Sequence, residues 1–222
     1  MSIWDLDAEP PKKIHSRVQH HLHLLENNTD FKVLNKSDDA LLVNFNGGVA
    51  EVGIPIYSEF QSEALMEHSI VLRQLYVDIQ KRNDGIGSKI LKGITDTYKD
   101  TDSVLILYST PIKLASYSLE PQLVDDIDVQ KRLVLFYEKG GFSCLKHEHL
   151  YTVKHLCMLA HKYTFKHMLP MPMGLACNNA PSEVKDVIKH CRITTEEAFK
   201  VMKRKKHIPD FTPTHLISQQ YV

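Results

Sequence analysis

Neither sign of charge is in excess: lysine plus arginine and aspartate plus glutamate number 27 each, so the 222-residue chain is formally neutral. A wholesale binder of nucleic acid or of an anionic membrane is usually lopsided in charge, and neither is expected of the chain as a whole. Cysteine is scarce. Cys144, Cys157, Cys177 and Cys191 are widely spaced and form no Cys-x-x-Cys pair, so they read as free thiols and argue against a disulfide or zinc framework. No apolar run approaches the ~20 residues that span a bilayer. The opening Met1-Ser2-Ile3-Trp4-Asp5-Leu6-Asp7 is acidic and has no apolar signal core, which leads to the expectation of a cytoplasmic protein with no membrane partner. Internal repeats and low-complexity tracts are missing too. Two nucleotide signatures fail. The residue three beyond Gly87 is Ile90, so Gly-x-Gly-x-x-Gly is not met, and Gly-x-x-x-x-Gly-Lys-Ser/Thr does not occur. A dinucleotide fold and an ordinary P-loop lose their support.

What is present is an ordinary globular composition, 43% hydrophobic and 24% charged, long enough for one core or a core plus an appendage. Residues 1–13 read as a loose leader. Ile14, Val18, Leu22 and Leu25 recur at helical spacing over 14–26. Phe31 to Leu34, Ala40 to Phe45 and Val49 to Tyr57 read as strands, with Asn46-Gly47-Gly48 as a turn. Ser69 to Val77 is a continuous apolar-rich strand, and Val104 to Tyr108 a second. Between them Ile86, Ile90, Leu91, Ile94 and Tyr98 line one helical face. Strand, helix, strand is a βαβ unit and argues for a partly parallel sheet. A helix with Val129, Leu133, Phe136 and Tyr137 on its apolar side ends at Gly140-Gly141. Phe142 to Leu145 and Leu150 to Leu159 read as two more strands, the second with a helix as its alternative. The proline- and glycine-bearing stretch after Phe165 reads as a linker, followed by helices over 182–191 and 194–206.

Chemistry concentrates where the strand ending at Val77 runs into Arg82-Asn83-Asp84-Gly85-Ile86-Gly87-Ser88-Lys89 and directly into a helix. Gly85 and Gly87 let backbone approach an anion closely. The amides of Ile86, Gly87, Ser88 and Lys89 are unpaired first-turn donors at the positive helix end, and Arg82 and Lys89 add charge. The functional reading of this stretch is a phosphate cradle. A plain strand–helix turn is the competing reading of a lone Gly-x-Gly.

Residues 77–91, Val-Asp-Ile-Gln-Lys-Arg-Asn-Asp-Gly-Ile-Gly-Ser-Lys-Ile-Leu, resemble motif A of the GNAT superfamily of N-acetyltransferases, with Arg82, Gly85 and Gly87 in register. Roughly fifty residues on, Leu135-Phe136-Tyr137-Glu138-Lys139-Gly140-Gly141-Phe142 is similar to that family's second signature. The resemblance spans about residues 30–165. It implies an α/β fold of the α+β type: a mixed, mostly antiparallel central sheet with a splayed parallel strand pair. Residues 1–165 would form the acetyltransferase domain, and 166–222 a linker and a small helical C-terminal extension. It implies acetyl-CoA as co-substrate, with no metal. The pyrophosphate would lie on Arg82, Asn83, Gly85, Ile86, Gly87, Ser88 and Lys89, and the pantetheine along a bulged strand near Leu75 and Val77. Gln130 stands about where the family often has asparagine, and Ile79 where proline is frequent.

The same resemblance implies direct attack by an amine, with Tyr137 as the acid that protonates the leaving thiolate and strand backbone near Leu75 or Val77 as oxyanion donor. Tyr137 also fits plain core packing. Ser69 to Val77 holds no carboxylate or histidine, so Glu67 and His68 just before it, or Glu51 on the preceding strand, are the candidate bases. Tyr108 and Ser109 are expected near the same cleft. The crowded His15, His20, His21 and His23 show no third ligand partner. Lys203 to Lys206, in a basic run that ends a helix, reads as a solvated face or as a contact to nucleic acid. The acceptor is left open among a protein amine, a small amine and a modified nucleobase, as is a homodimer. A nucleic-acid-directed modifier and a non-catalytic CoA-binding protein on this fold are the rival functions.

Overall fold

A computed structural model describes residues 20–55, 59–109, 112–114, 121–123, 127–152 and 171–203. Ala40–Phe45 (β2) and Gly48–Gly53 (β3) alternate buried and half-buried positions. They are joined through Asn46 and Gly47, whose φ values of 46° and 91° are both positive, as a two-residue type I′ hairpin turn requires. Lys32–Lys36 (β1) adds antiparallel to β2 as an exposed edge, with a lysine at each end. Ser69–Val77 (β4) is antiparallel to β3, and Val104–Ser109 (β5) is parallel to β4. The hairpin Ile112–Leu114 (β6) and Pro121–Leu123 (β7) stands apart, in a connection whose sequence carries few regular signals. Ser143–Cys144 (β8) and Met171–Ala176 (β9) complete a seven-stranded sheet of order β1-β2-β3-β4-β5-β9-β8, in which β4–β5 is the parallel pair. This is the mixed, mostly antiparallel α/β sheet expected.

Among the described residues, six helices flank it: Glu63–His68 (α1), Ile86–Tyr98 (α2), Ile127–Lys139 (α3), His147–Leu150 (α4), Ser182–Cys191 (α5) and Thr195–Lys203 (α6). On β5 the alternation assigns the two faces. Leu105 and Leu107 join Ile70, Leu72, the α2 face Ile86, Ile90, Leu91 and Ile94, and Val134 and Tyr137 of α3 in one buried cluster. Val104 and Ile106 join Val71, Phe60, Leu65, Leu150, Tyr151, Val184 and Ile188 in the other. The carrier of the glycine loop thus lies on one face of the sheet, and α1 and α5 lie on the opposite face.

The structure moves the expected boundary at 165/166. β9 falls in the stretch expected to be a linker, yet it is an inner strand, paired with β5 along its full length. Pro172 is accommodated because its carbonyl, not a missing N–H, is what its neighbour uses: it accepts from the Leu145 amide at 2.9 Å. A Cβ on Gly174 would come within 3.2 Å of Ile188, so glycine lets α5 approach the sheet there. Val184, Ile188, Cys191 and Ala198 are buried in the common core, which makes 171–203 part of the domain rather than an appendage. The expected strand 150–159 begins instead as the end of α4, and residues 153–160 lie outside the described ones. Of the expected helix 14–26, residues 20–22 are helical and His23–Asn27 is a 3-10 turn, while 14–19 are not described.

Candidate functional site

The parallel pair comes apart. β4 and β5 are bonded from Ser69↔Val104 to Leu72↔Leu107 and no further. At the same point β4 changes from four buried residues, Ser69–Leu72, to five half-buried ones, Arg73–Val77. It also bulges there: Glu51 faces Gln74 and Val52 faces Leu72, so Arg73 is an extra residue on β4. The bulge bends the strand away from β5 while β3 keeps its hold through Gly48↔Val77. Arg73 pins the bend from outside, with Nη2 3.1 Å from Asp39 Oδ2 and 3.1 Å from the Ile54 carbonyl, and Nη1 3.4 Å from Glu51 Oε1. The Ser37 hydroxyl and this guanidinium hold the Asp39 carboxyl below its ordinary range, against its desolvation. Glu51, one of the expected bases, is committed to this ion pair.

Beyond Val77 the chain makes the turn 79–81 and enters the glycine loop. Gly85 is the N-cap of α2 at φ 73°, ψ 8°, a left-handed backbone that glycine adopts without penalty. A Cβ there would meet nothing within 4 Å, so the loop faces open space. The first bond of the helix is Lys89 N–H to Gly85 C=O, 3.0 Å. The amides of Ile86, Gly87 and Ser88 precede it and carry the positive end of a thirteen-residue helix. Lys89 therefore supplies its side chain rather than its amide. A Cβ on Gly87 would stand 3.5 Å from Phe136, 3.6 Å from Val77 and 3.8 Å from Leu75. One small position thus touches the freed half of β4 and the helix that carries Tyr137. Arg82 turns back, its Nε 3.2 Å from the Val77 carbonyl and its guanidinium 5.9 Å over the Tyr76 ring. Asn83 also has positive φ, 77°.

Tyr137 is buried among Phe136 and Phe142, with ring centroids 5.1 and 6.2 Å away. Burial holds its proton well above the ordinary phenol range. It begins a Schellman cap: Phe142 N–H bonds Tyr137 C=O at 3.2 Å and Gly141 N–H bonds Glu138 C=O at 2.9 Å, with Gly141 at φ 91°. Gly140 meets a second demand, since a Cβ there would lie 2.6 Å from Leu91 of α2. The second signature therefore has a structural reason of its own. Gln130, on the same buried stripe as Tyr137, donates from Nε2 to the Ser109 carbonyl at the end of β5, 3.2 Å.

No family of known proteins has a model that matches this chain, and no curated protein matches it. Among solved structures, it is similar to the crystal structure of acetoin utilization protein from Exiguobacterium sibiricum 255-15, at 11% identity over 86% of this chain and 89% of that one, with a TM-score of 0.39. A likeness that distant carries no argument about this chain.

Glu67 and His68 do not join the loop. They close α1 at the opposite end of the parallel pair, before Ser69. His68 Nδ1 lies 3.3 Å from Asp102 Oδ2, and His21 Nε2 lies 3.2 Å from Asp102 Oδ1. Strand rise is ~3.3 Å per residue, so the length of β4 separates them from Val77. Burial holds two thiols away from the thiolate form, pushing Cys144 up to about 12 and Cys177 up to about 11; Cys191 is buried, and Cys157 is not described. Among the described residues no three histidine, cysteine or carboxylate side chains gather as for a metal ion, and no helix is long and apolar enough to cross a membrane. His15 and Arg204 to Lys206 lie outside the described residues.

The sequence reading missed Glu59. It is 3% exposed, and its carboxylate accepts a hydrogen bond from the Tyr108 hydroxyl. In the sequence, Glu59 to Glu67 reads as polar with moderate helical character. The one sequence signal is its place beside Phe60, whose pairing with Tyr151 carries Glu59 inward.

Proposed function

We propose that the chain is an N-acetyltransferase of the GNAT kind, moving an acyl group from acetyl-CoA to a primary amine without a covalent enzyme intermediate. One observation carries the reading: past the bulge at Arg73, where β4 parts from β5, the freed half of β4 runs to the helix-start amides of Ile86–Ser88, and Gly87 stands there beside Leu75, Val77 and Phe136. That is an anion cradle at the end of a slot with free backbone along one wall, the shape a pyrophosphate with an extended amide arm requires.

Acetyl-CoA brings an acyl group activated as a thioester. The residues then divide the work. Ile86, Gly87 and Ser88 amides bind the pyrophosphate, with Arg82 and Lys89 in support. The β5-facing backbone of Arg73–Val77 hydrogen-bonds the arm and donates to the developing oxyanion. Tyr137, fully protonated at neutral pH, donates at Oη to the leaving sulfur. Gln130 orients the end of β5 through Ser109.

Thermal unfolding with ligand tests the donor site. Acetyl-CoA and CoA, at about 100-fold over Kd, are expected to raise Tm by roughly 5–10 °C. Gly87→Glu, with a carboxylate among Phe136, Val77 and Leu75, is expected to fold and lose the shift. An unshifted wild type, or an unaffected variant, rejects the reading. A shift with no thiol release to any primary amine rejects the enzyme and leaves a CoA-binding protein.

A further inference from the structure

Tyr108 is the first residue of β5 beyond its last bond to β4, and it faces the α1/α5 side of the sheet. Its ring is half-buried and stacks on Tyr151 at 5.5 Å and 18°. Tyr151 in turn stacks on Phe60 at 5.6 Å and 23°. Behind the hydroxyl lies the carboxylate of Glu59, a residue 3% exposed. Backbone bonds fix the chain on either side of Phe60: Thr152 N–H to Glu59 C=O at 3.1 Å and Gln61 N–H to Leu150 C=O at 3.0 Å. A buried carboxylate hydrogen-bonded to the hydroxyl of a tyrosine that is the first residue past the parting of two strands is an arrangement for moving a proton.

We propose that Tyr108 and Glu59 form the proton exit for the acceptor amine, Tyr108 touching the nitrogen and Glu59 receiving the proton through it. This rests on the acyltransferase reading. The glycine loop and α2 occupy one face of the sheet, so the amine enters from the other, where Tyr108 stands at the opening. A primary ammonium cannot attack until it loses a proton. Its N–H proton passes to Tyr108 Oη as the Tyr108 proton passes to Glu59, and from there to water. In the transfer itself a C–N bond forms and a C–S bond breaks. The second nitrogen proton follows the same relay to Glu59, which has by then released the first to water, while Tyr137 protonates the leaving sulfur and is itself reprotonated from water, so that one proton is released per turnover. Burial first, then Tyr151 and Glu59, holds the Tyr108 proton firmly, so the hydroxyl acts as a carrier and not as a tyrosinate base. Among the described residues, the titratable groups around the pair are Tyr151, His147, whose ring is 6.3 Å from that of Tyr151, and Cys191, which acts on Tyr151.

The test uses the full chain, acetyl-CoA and butylamine, followed by thiol release over pH, with acetyl-CoA binding followed separately by thermal shift. Expected for wild type is a log(kcat/KM) that rises with unit slope and bends at one pKa. An infrared carboxyl band that titrates with the same midpoint and vanishes in Glu59→Gln reads the proton without turnover. Glu59→Gln and Tyr108→Phe should each lower the rate at neutral pH by about 10²-fold, with the loss shrinking as pH rises toward the pKa of the amine. Acetyl-CoA binding should be unchanged and the double variant no worse than either single one. Tyr108→Phe removes a single oxygen and keeps the stack, so it serves if Glu59→Gln fails to fold. The proposal is overturned by a loss equal at every pH, by an unchanged profile, or by a wild type that binds acetyl-CoA yet releases no thiol above background. Failure of acetyl-CoA to bind wild type overturns the donor reading, and this proposal with it.

Discussion

The histidine near the closed end of the parallel pair shows what a single residue can be asked. His21 holds Ser103 Oγ at 2.5 Å through Nδ1 and Asp102 through Nε2. Burial lowers its pKa, Asp102 opposes that, and His20 and His68 add to the lowering. A folded value below the unfolded ~6.5 means that the unfolded chain binds more protons in the window just below it. The contribution to stability is then complete above about pH 6.5, falls as acid charges the unfolded imidazole, and levels off once the folded one is charged as well. Melting curves of wild type and His21→Gln from about pH 7.5 to 5 check this, and the variant should lose less Tm on acidification. Parallel losses would show that His21 does not titrate as described. Of the residue-scale features, the glycine loop was legible because Gly85 needs its φ and the helix start needs its amides wherever the strand goes. The Glu59–Tyr108 contact was not, since its partners stand 49 residues apart and nothing local marks either as buried.

At the scale of the element, local chemistry and tertiary demand coincide in α3. Its end, Tyr137–Phe142, needs Gly141 for a left-handed residue and Gly140 for close passage past Leu91. Gly141→Ala puts a Cβ on a φ of 91° and should cost about 1–2 kcal/mol, read as a lower denaturation midpoint at unchanged m-value. Loss of less than ~0.3 kcal/mol would mean that the cap relaxes at no cost. Elements with strong periodicity or turn chemistry, such as β2, β4, α2 and α5, were legible to within a residue. α4 was not, because four residues carry too little pattern to separate helix from strand.

At the scale of the whole molecule, the decisive fact is that β9 is an inner strand. Removing residues 166–222 would take away the partner of β5 and β8 and the buried side of α5. Loss of Met171, Met173, Val184, Ile188 and Cys191 exposes the two clusters they close. A 1–165 fragment should therefore lack a cooperative thermal transition in calorimetry. A sharp transition with native-like circular dichroism would restore the boundary at 165. The same fact removes that fragment as a control for any role of the basic tail.

The sequence alone determined the local structures, because helix faces, the Asn46-Gly47 turn and the left-handed glycines depend on neighbours a few residues away. It also determined that a glycine-capped helix start opens α2. Only the tertiary structure decided that a proline- and glycine-bearing stretch is a central strand, that β4 leaves β5 after Leu72, and that Glu59 lies behind Tyr108. Each of those depends on which distant backbone a strand bonds to, and pairing over such separations is fixed by the burial of the whole sheet rather than by any residue in it.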